Sequence, residues 1–261
     1  MQLVAQIKDF PGILPAATLR SKFGDADYLA IMCHEIGTPL NSIIGLSHIL
    51  SDMECSPQRK TECAEMLRDS SHMLMDLMKN MLDSSKIDAD MLEIEDIDFD
   101  LVALVQEAVH IIAVKAAAKG LHLHVHITNG LPPQWIGDPL RIRQILLNLL
   151  SNAVKFTEKG QVSLYVNAKL DRHGNDQLCI TVADTGIGMS ETELKKIFGK
   201  YKQANASVSR NYGGTGLGLS ISQELARLMH GNIVVKSWPG MGSHFILTLP
   251  LQKAIVLLAA A

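Results

Sequence analysis

The chain has 261 residues, a formal net charge of -3 and 47% hydrophobic side chains. At roughly 100–200 residues per domain this is one large domain or two modest ones, and so apolar a composition excludes wholesale disorder. A near-neutral balance with no basic run leaves no electrostatic footprint for nucleic acid.

No apolar segment is expected to reach the roughly 18 residues that cross a bilayer, so no membrane span is anticipated. The N-terminus lacks the basic start and long apolar run of a signal peptide. Cys33, Cys55, Cys63 and Cys179 form no CxxC or zinc-like spacing. A cytoplasmic protein with reduced thiols is therefore expected.

In chain order, residues 1–24 carry Pro11 and Pro15 and read as an N-terminal linker or partial segment. Asp25 is placed as the N-cap of a helix running to about Leu50. Its apolar residues Leu29, Met32, Ile36, Ile43, Leu46 and Leu50 recur at gaps of three and four, with one of seven, their sum. His34 falls on the opposite face, beside Glu35: an imidazole with a carboxylate in reach is a nucleophile with a base. The alternative is a surface histidine on an amphipathic helix. Gly37 and Pro39 interrupt the pattern, and Pro39 removes the backbone bond to the Glu35 carbonyl.

After a loop, Ser56 and Pro57 open a second helix to about Lys86. Its stripe of Cys63, Met66, Leu67, Met73, Leu74, Leu77, Met78, Met81 and Leu82 is wider than one hairpin partner can cover. Two hairpins paired into a four-helix bundle would cover it, so a homodimer is expected.

The acidic stretch "DADMLEIEDIDFD" marks a change of rhythm. "LVALVQEAVHIIAVKAAAKG" reads as a helix stopped by Gly120. "LHLHVHIT" alternates as a strand with Leu121, Leu123, Val125 and Ile127 inward. Its His122, His124 and His126 read as a solvent face rather than a metal site.

"DPLRIRQILLNLLSNAVKFT" is a helix opened by Asp138 and Pro139. Asn148 and Asn152 share one face at i and i+4, where two amide oxygens can hold Mg2+. Lys155 can reach phosphate oxygens from there. The alternative is a plain polar helix face.

Two strands follow, "GQVSLYVNAKL" and "DQLCITVAD". Asp184, ending the second, can accept from an amino group such as that of adenine, and Gly186 and Gly188 allow close backbone approach. A plain turn, or an aspartic-protease Asp-Thr-Gly, are the alternatives. "SETELKKIF" is a short capped helix.

Gly213, Gly214, Gly216 and Gly218 lead into a helix ended by Gly231, and such a turn presents N–H groups to phosphate. No Gly-Lys-Ser/Thr follows, so it is not a Walker loop. "NIVVKSWPGMGSHFILTLPL" closes with two strands around Gly240 and Gly242, a turn that by itself means little. One mixed sheet with helices on one face fits this order.

Taken together and in order, these stretches resemble the boxes of sensor histidine kinases, hybrid-type ones in particular: the histidine box at 30–44, the asparagine box at 144–156, the first glycine box at 184–189, the phenylalanine box "KIFGKYKQA" and the second glycine box at 213–219. The resemblance spans about residues 26–250.

It implies an α+β architecture: a helical hairpin (25–88) forming a dimeric four-helix bundle for dimerisation and histidine phosphotransfer, then an ATP-binding catalytic α/β sandwich (97–251) shared with DNA gyrase and a heat-shock chaperone. Residues 252–261 are left as a tail.

Carried over residue by residue, His34 is the phosphate acceptor and Glu35 its base. Thr38 is similar to the residue that positions water in a phosphatase reaction. Asn148 and Asn152 hold Mg2+, Lys155 meets phosphate and Asp184 reads adenine. Gly186, Gly188, Gly214, Thr215, Gly216, Leu217 and Gly218 shape the ATP pocket and lid, and Arg210 is a candidate phosphate contact.

The implied function is ATP-dependent autophosphorylation of His34 and transfer to an Asp of a response-regulator receiver domain. A nucleotide-binding scaffold without kinase activity is the rival; a gyrase-like clamp would not need residues 26–88. Gly37, Cys33, Lys200 and Tyr201 depart from common family residues.

Overall fold

The computed structural model describes residues 25–51, 56–132, 134–170, 174, 176–199 and 216–253, with the side chains of 25–31 and of His34 outside the description. The chain divides into two units, Met1–Lys79 and Asn80–Ala261.

In the first unit, α1 (Asp25–Ser51) runs through Pro39, and α2 (Pro57–Asp88) begins in that unit and ends in the second. Proline at the first helical position carries no N–H to leave unpaired, and the Ser56 hydroxyl accepts from the Arg59 amide at 3.4 Å. Leu46, Cys63 and Leu77 are buried. Ser42, Gly45, Leu46 and Ile49 of α1 line one groove with Met66, Asp69, Ser70 and Met73 of α2. Met66 and Met73 stand 57% and 61% exposed there, so the two helices leave an apolar face open. The expected N-cap role of Asp25 lies outside the described side chains.

In the second unit, β1 (Ile97–Asp100), α3 (Leu101–Ala118), β2 (His122–Ile127), β3 (Gln134–Gly137), α4 (Pro139–Phe156), β4 (Gln161–Leu170), β5 (Asp176–Asp184), α5 (Glu191–Leu194), α6 (Gly218–Leu228), β6 (Asn232–Trp238), β7 (Gly242–Leu249) and β8 (Gln252–Lys253) follow in order. The main sheet is β2-β4-β5-β7-β6, parallel between β2 and β4 and antiparallel elsewhere. Its buried rows keep a period of two, with Leu164 opposite Val182 and Val182 opposite Phe245. Against that face lie the stripes of α3, α4 and α6, in one core with Ile112, Leu146, Leu149 and Leu225.

Four features differ from the sequence expectation. A second sheet, β1-β3-β8, joins segments not read as strands, and it recruits Gln252 and Lys253 from the supposed tail. Trp135 on β3 is fully buried, with its indole Nε1 donating to the Pro132 carbonyl at 2.7 Å.

The left-handed residue after α6 is His230 (φ 58), not Gly231. Gly231 is needed for space, because a Cβ there would run into the Thr248 carbonyl.

The expectation that no apolar segment approaches a bilayer span is also corrected: α3 has 18 residues and a mean hydropathy of 1.7, long and apolar enough by length and composition. Here Leu101, Leu104, Val105, Ala108, Ile112 and Ala116 are buried, and Glu107 pairs with Arg143 of α4 at 2.8 Å.

The histidine face of β2 is exposed as expected, and His126 stacks on Tyr165 at 4.9 Å. Among the described residues no group of three or more ligating side chains is arranged for a metal. Val125, expected inward, is 38% exposed because β2 is an edge strand.

Within the second unit the end of α2 is fastened to α4. Asp83 accepts from Arg141 Nη1 at 3.3 Å and from Gln144 Nε2 at 2.7 Å.

Gly37 lies in the interior of α1, and a Cβ there would meet nothing within 4 Å. Gly37→Ala should therefore stabilise α1 locally by about 1 kcal/mol. Amide hydrogen exchange around position 37 should slow about fivefold, a shift read directly by mass spectrometry.

Candidate functional site

Helix α4 is the frame of the site. Asp138 caps it, accepting from the Arg141 amide at 3.0 Å through Oδ1 and from the Glu95 amide at 3.2 Å through Oδ2, with Pro139 in the first turn. Its stripe of Ile142, Ile145, Leu146, Leu149, Leu150, Ala153 and Val154 is buried. Asn148 and Asn152 stand on the border of that stripe, half-buried and one turn apart.

Asn148 donates through Nδ2 to Ser222 Oγ of α6 at 2.8 Å, which orients its amide and turns Oδ1 toward Asn152. Asn152 Nδ2 donates to that Oδ1 at 3.4 Å.

Gly218 begins α6 directly against Asn148, and a Cβ there would overlap Asn148 Oδ1. Gly216 (φ 67) makes the turn just before it. Leu217 occupies the N-cap position with no side-chain cap bond. The first amides of α6 are therefore offered at the amide face of α4, an arrangement suited to an anion.

Asp184 ends β5 with 6% exposure. Its Oδ1 accepts from the Gly186 amide at 2.8 Å and the Ser243 amide at 3.3 Å. Both ladder-side donors go to one oxygen, which leaves Oδ2 as the oxygen for an outside donor. Burial pushes the Asp184 carboxyl above the usual range, and the two backbone amides and nearby His244 pull it back in part.

Residues 184–189 are tied on two sides. The Ile187 amide donates to the Phe156 carbonyl at the end of α4 (3.3 Å), and the Gly240 amide donates to the Ile187 carbonyl (2.7 Å). The Met189 amide donates to Ser237 Oγ at 2.8 Å. Gly188 (φ 64) and Gly242 (φ 90) sit so close to the Trp238 and Asp184 carbonyls that no Cβ fits at either. Lys155 lies with Nζ 5.1 Å from the Phe156 ring centroid.

Asn148, Asn152, Lys155, Asp184, Gly186, Gly188, Gly216, Leu217 and Gly218 thus belong to one unit, with Gly218 meeting α4 at Asn148 and the turn after Asp184 meeting it at Phe156. Arg210, Gly214, Thr215, Lys200 and Tyr201 lie outside the described residues, as does the side chain of His34, whose backbone is helical in α1. Glu35 and Thr38 are on α1 as expected, Thr38 exposed and Glu35 half-buried. Sequence reasoning missed Ser222, Ser237 and Ser243, and it left Gly242 as a turn that by itself means little. For Gly242 a signal was available, since a glycine flanked by a strand marks close backbone approach.

Residues 26–90 match the family described as His Kinase A (phospho-acceptor) domain, and residues 137–253 match Histidine kinase-, DNA gyrase B-, and HSP90-like ATPase. The sensor protein GacS of Pseudomonas syringae pv. syringae is 42% identical over 241 residues, covering 92% of this chain and 26% of that protein. The signal transduction histidine-protein kinase BarA of Escherichia coli (strain K12) is 38% identical over 230 residues, covering 88% of this chain and 24% of that protein. The chain thus spans about a quarter of the length of these curated relatives. The crystal structure of full-length ShkA in complex with AMPPNP superposes with a TM-score of 0.64 at 29% identity, covering 87% of this chain and 46% of that one.

Asp184→Asn keeps both backbone acceptor bonds and removes a buried charge. With its carboxyl raised above 3.8, Asp184 contributes most to stability below that pH and loses the contribution as pH rises through its folded value. The asparagine variant should therefore melt at least as high as wild type at neutral pH, with the advantage fading toward pH 3.8. Melting temperatures of both proteins across pH test this.

Proposed function

Because this chain belongs to the sensor histidine kinases, as the catalytic core that joins a phosphoacceptor domain to an ATPase domain, we propose that it transfers the γ-phosphoryl group of ATP to His34 and then to an Asp of a response-regulator receiver domain. In this reading residues 25–88 form the dimerisation and phosphotransfer domain, and residues 97–251 form the ATP-binding domain, to which β8 adds Gln252 and Lys253.

The observation that carries the nucleotide site is the meeting of Gly218 with Asn148. A glycine at the first position of α6 lets the start of that helix approach the amide face of α4, so phosphate and its counter-ion are addressed together. Asp184 Oδ2 accepts from the adenine amine at the other side of the pocket.

The residues fit Mg2+. Asn148 and Asn152 carry amide oxygens on side chains one turn apart, hard donors of the kind this ion takes beside water and phosphate oxygens. When bound, the ion neutralises phosphate charge. Lys155 adds a cation at the same helix end.

In the transfer, an imidazole nitrogen of His34 bonds to the γ-phosphorus as the bond to the bridging oxygen of ADP breaks, and Glu35 takes the imidazole proton. Thr38, one turn from His34, orients the water of a phosphatase reaction, which attacks the phosphoryl group on the receiver Asp and releases phosphate and the free carboxylate. Two copies associate through the open groove of α1 and α2, where exposed Ile49, Met66 and Met73 gain cover.

Incubation with γ-labelled ATP and Mg2+ should give an acid-labile, base-stable label that is absent from His34→Gln; a label that persists in that variant refutes the assignment. Asn152→Ala should lower labelling at least about tenfold with an unchanged circular dichroism spectrum, since its side chain stands at the border of the buried stripe rather than within it.

A further inference from the structure

The last turn of a helix leaves its carbonyls without intrahelical donors. In α4 all four are engaged, the first by the capping residue and the other three from elsewhere in the unit. Ala153 O accepts from the Thr157 amide at 3.1 Å and from Thr157 Oγ1 at 2.7 Å. Phe156 O accepts from the Ile187 amide of the glycine turn at 3.3 Å. The remaining two, Val154 O and Lys155 O, accept from a single side chain on another helix: Lys119 Nζ, at 2.8 and 2.9 Å, which also lies 3.5 Å from Thr157 O.

We propose that Lys119 is a positioning residue for the nucleotide site, its ammonium fixing the last turn of α4. An ammonium has three donors and a compact charge, and here it faces three carbonyls at the negative end of a helix. Its own backbone is held by α3: Lys119 is the C-cap of that helix, its amide bonded to Ala116 O, and Gly120 follows with φ 69. Lys119 therefore refers the end of α4 to a second helix.

What hangs from that end is the site itself. Asn152 lies one turn back, Lys155 is in the turn, and the Phe156 carbonyl anchors Ile187 and with it the strand-end loop of Asp184. Without the ammonium, the turn keeps its Thr157 and Ile187 bonds but loses the two between them. Asn152 and the glycine turn then lose their common reference. No group of Lys119 touches the nucleotide in this account.

This inference rests on the reading of the unit as an ATP site, and the test separates the two. Lys119→Met keeps most of the stem and removes charge and donors; Lys119→Arg keeps both. Binding of a fluorescent ATP analogue with Mg2+ is measured on the full chain, well below the melting transition of each variant. The dissociation constant should rise about fivefold to tenfold in Lys119→Met and return to within about twofold of wild type in Lys119→Arg.

Unchanged affinity in Lys119→Met, with only a lower melting temperature, overturns the inference by leaving Lys119 a purely structural cap. Equal loss in both variants overturns it too, because a cationic donor then does not suffice. Failure of the wild-type chain to bind the analogue overturns the ATP reading, and this inference with it.

Discussion

Helix α4 has to be sealed along one side and open along another, and the arrangement of the unit follows from that. Its Ile and Leu stripe is closed by the sheet, α3 and α6. Successive residues on a helix are about 100° apart, so the buried stripe sets the rotation of the helix, and the rotation sets where Asn148 and Asn152 face. A slip by one residue would turn both amides into the core or out to solvent. The two ends then fix the helix along its length. Asp138 holds the first turn to the Glu95 amide, and the Phe156 carbonyl holds the last to the glycine turn.

A second constraint is steric. Gly218, Gly188 and Gly242 stand where backbone or a side-chain amide of a neighbouring element occupies the space of a Cβ. Ser237 shows how closely these parts are joined. Its hydroxyl receives the Met189 amide and lies 2.9 Å from both Ser243 Oγ and the Gly242 carbonyl. The loop after β5 and the β6–β7 hairpin are thus one hydrogen-bonded body around Asp184.

The long elements were legible because their patterns are local. The Ile/Leu periodicity of α4, its Asp-Pro start and the Ser190–Glu193 capping box at α5 all carry their signal within a few residues. Asp184 and the glycines of both boxes were readable for the same reason. The sheet β1-β3-β8 was not, because its strands are two to four residues long and find their partners across the whole unit; pairing at that distance has no period to detect.

Lys119 was equally hidden. It reads as an ordinary lysine before a helix-stopping glycine, and only the fold brings the end of α4 to it. His230 took the left-handed position because Gly231 was already committed to close packing against Thr248.

The small sheet also decides how the unit answers to force. β1 and β8 flank the same strand, β3, and both run antiparallel to it. β1 and β8 are therefore parallel and about 10 Å apart, two strand spacings. Their ladders are short: four residue pairs between β1 and β3 and two between β3 and β8, against nine between β4 and β5. Tension drawn through the chain at these two points is opposed first by the weakest ladder in the unit. Pulling along the chain at β8 therefore loads two residue pairs, whereas nine join β4 to β5 in the main sheet.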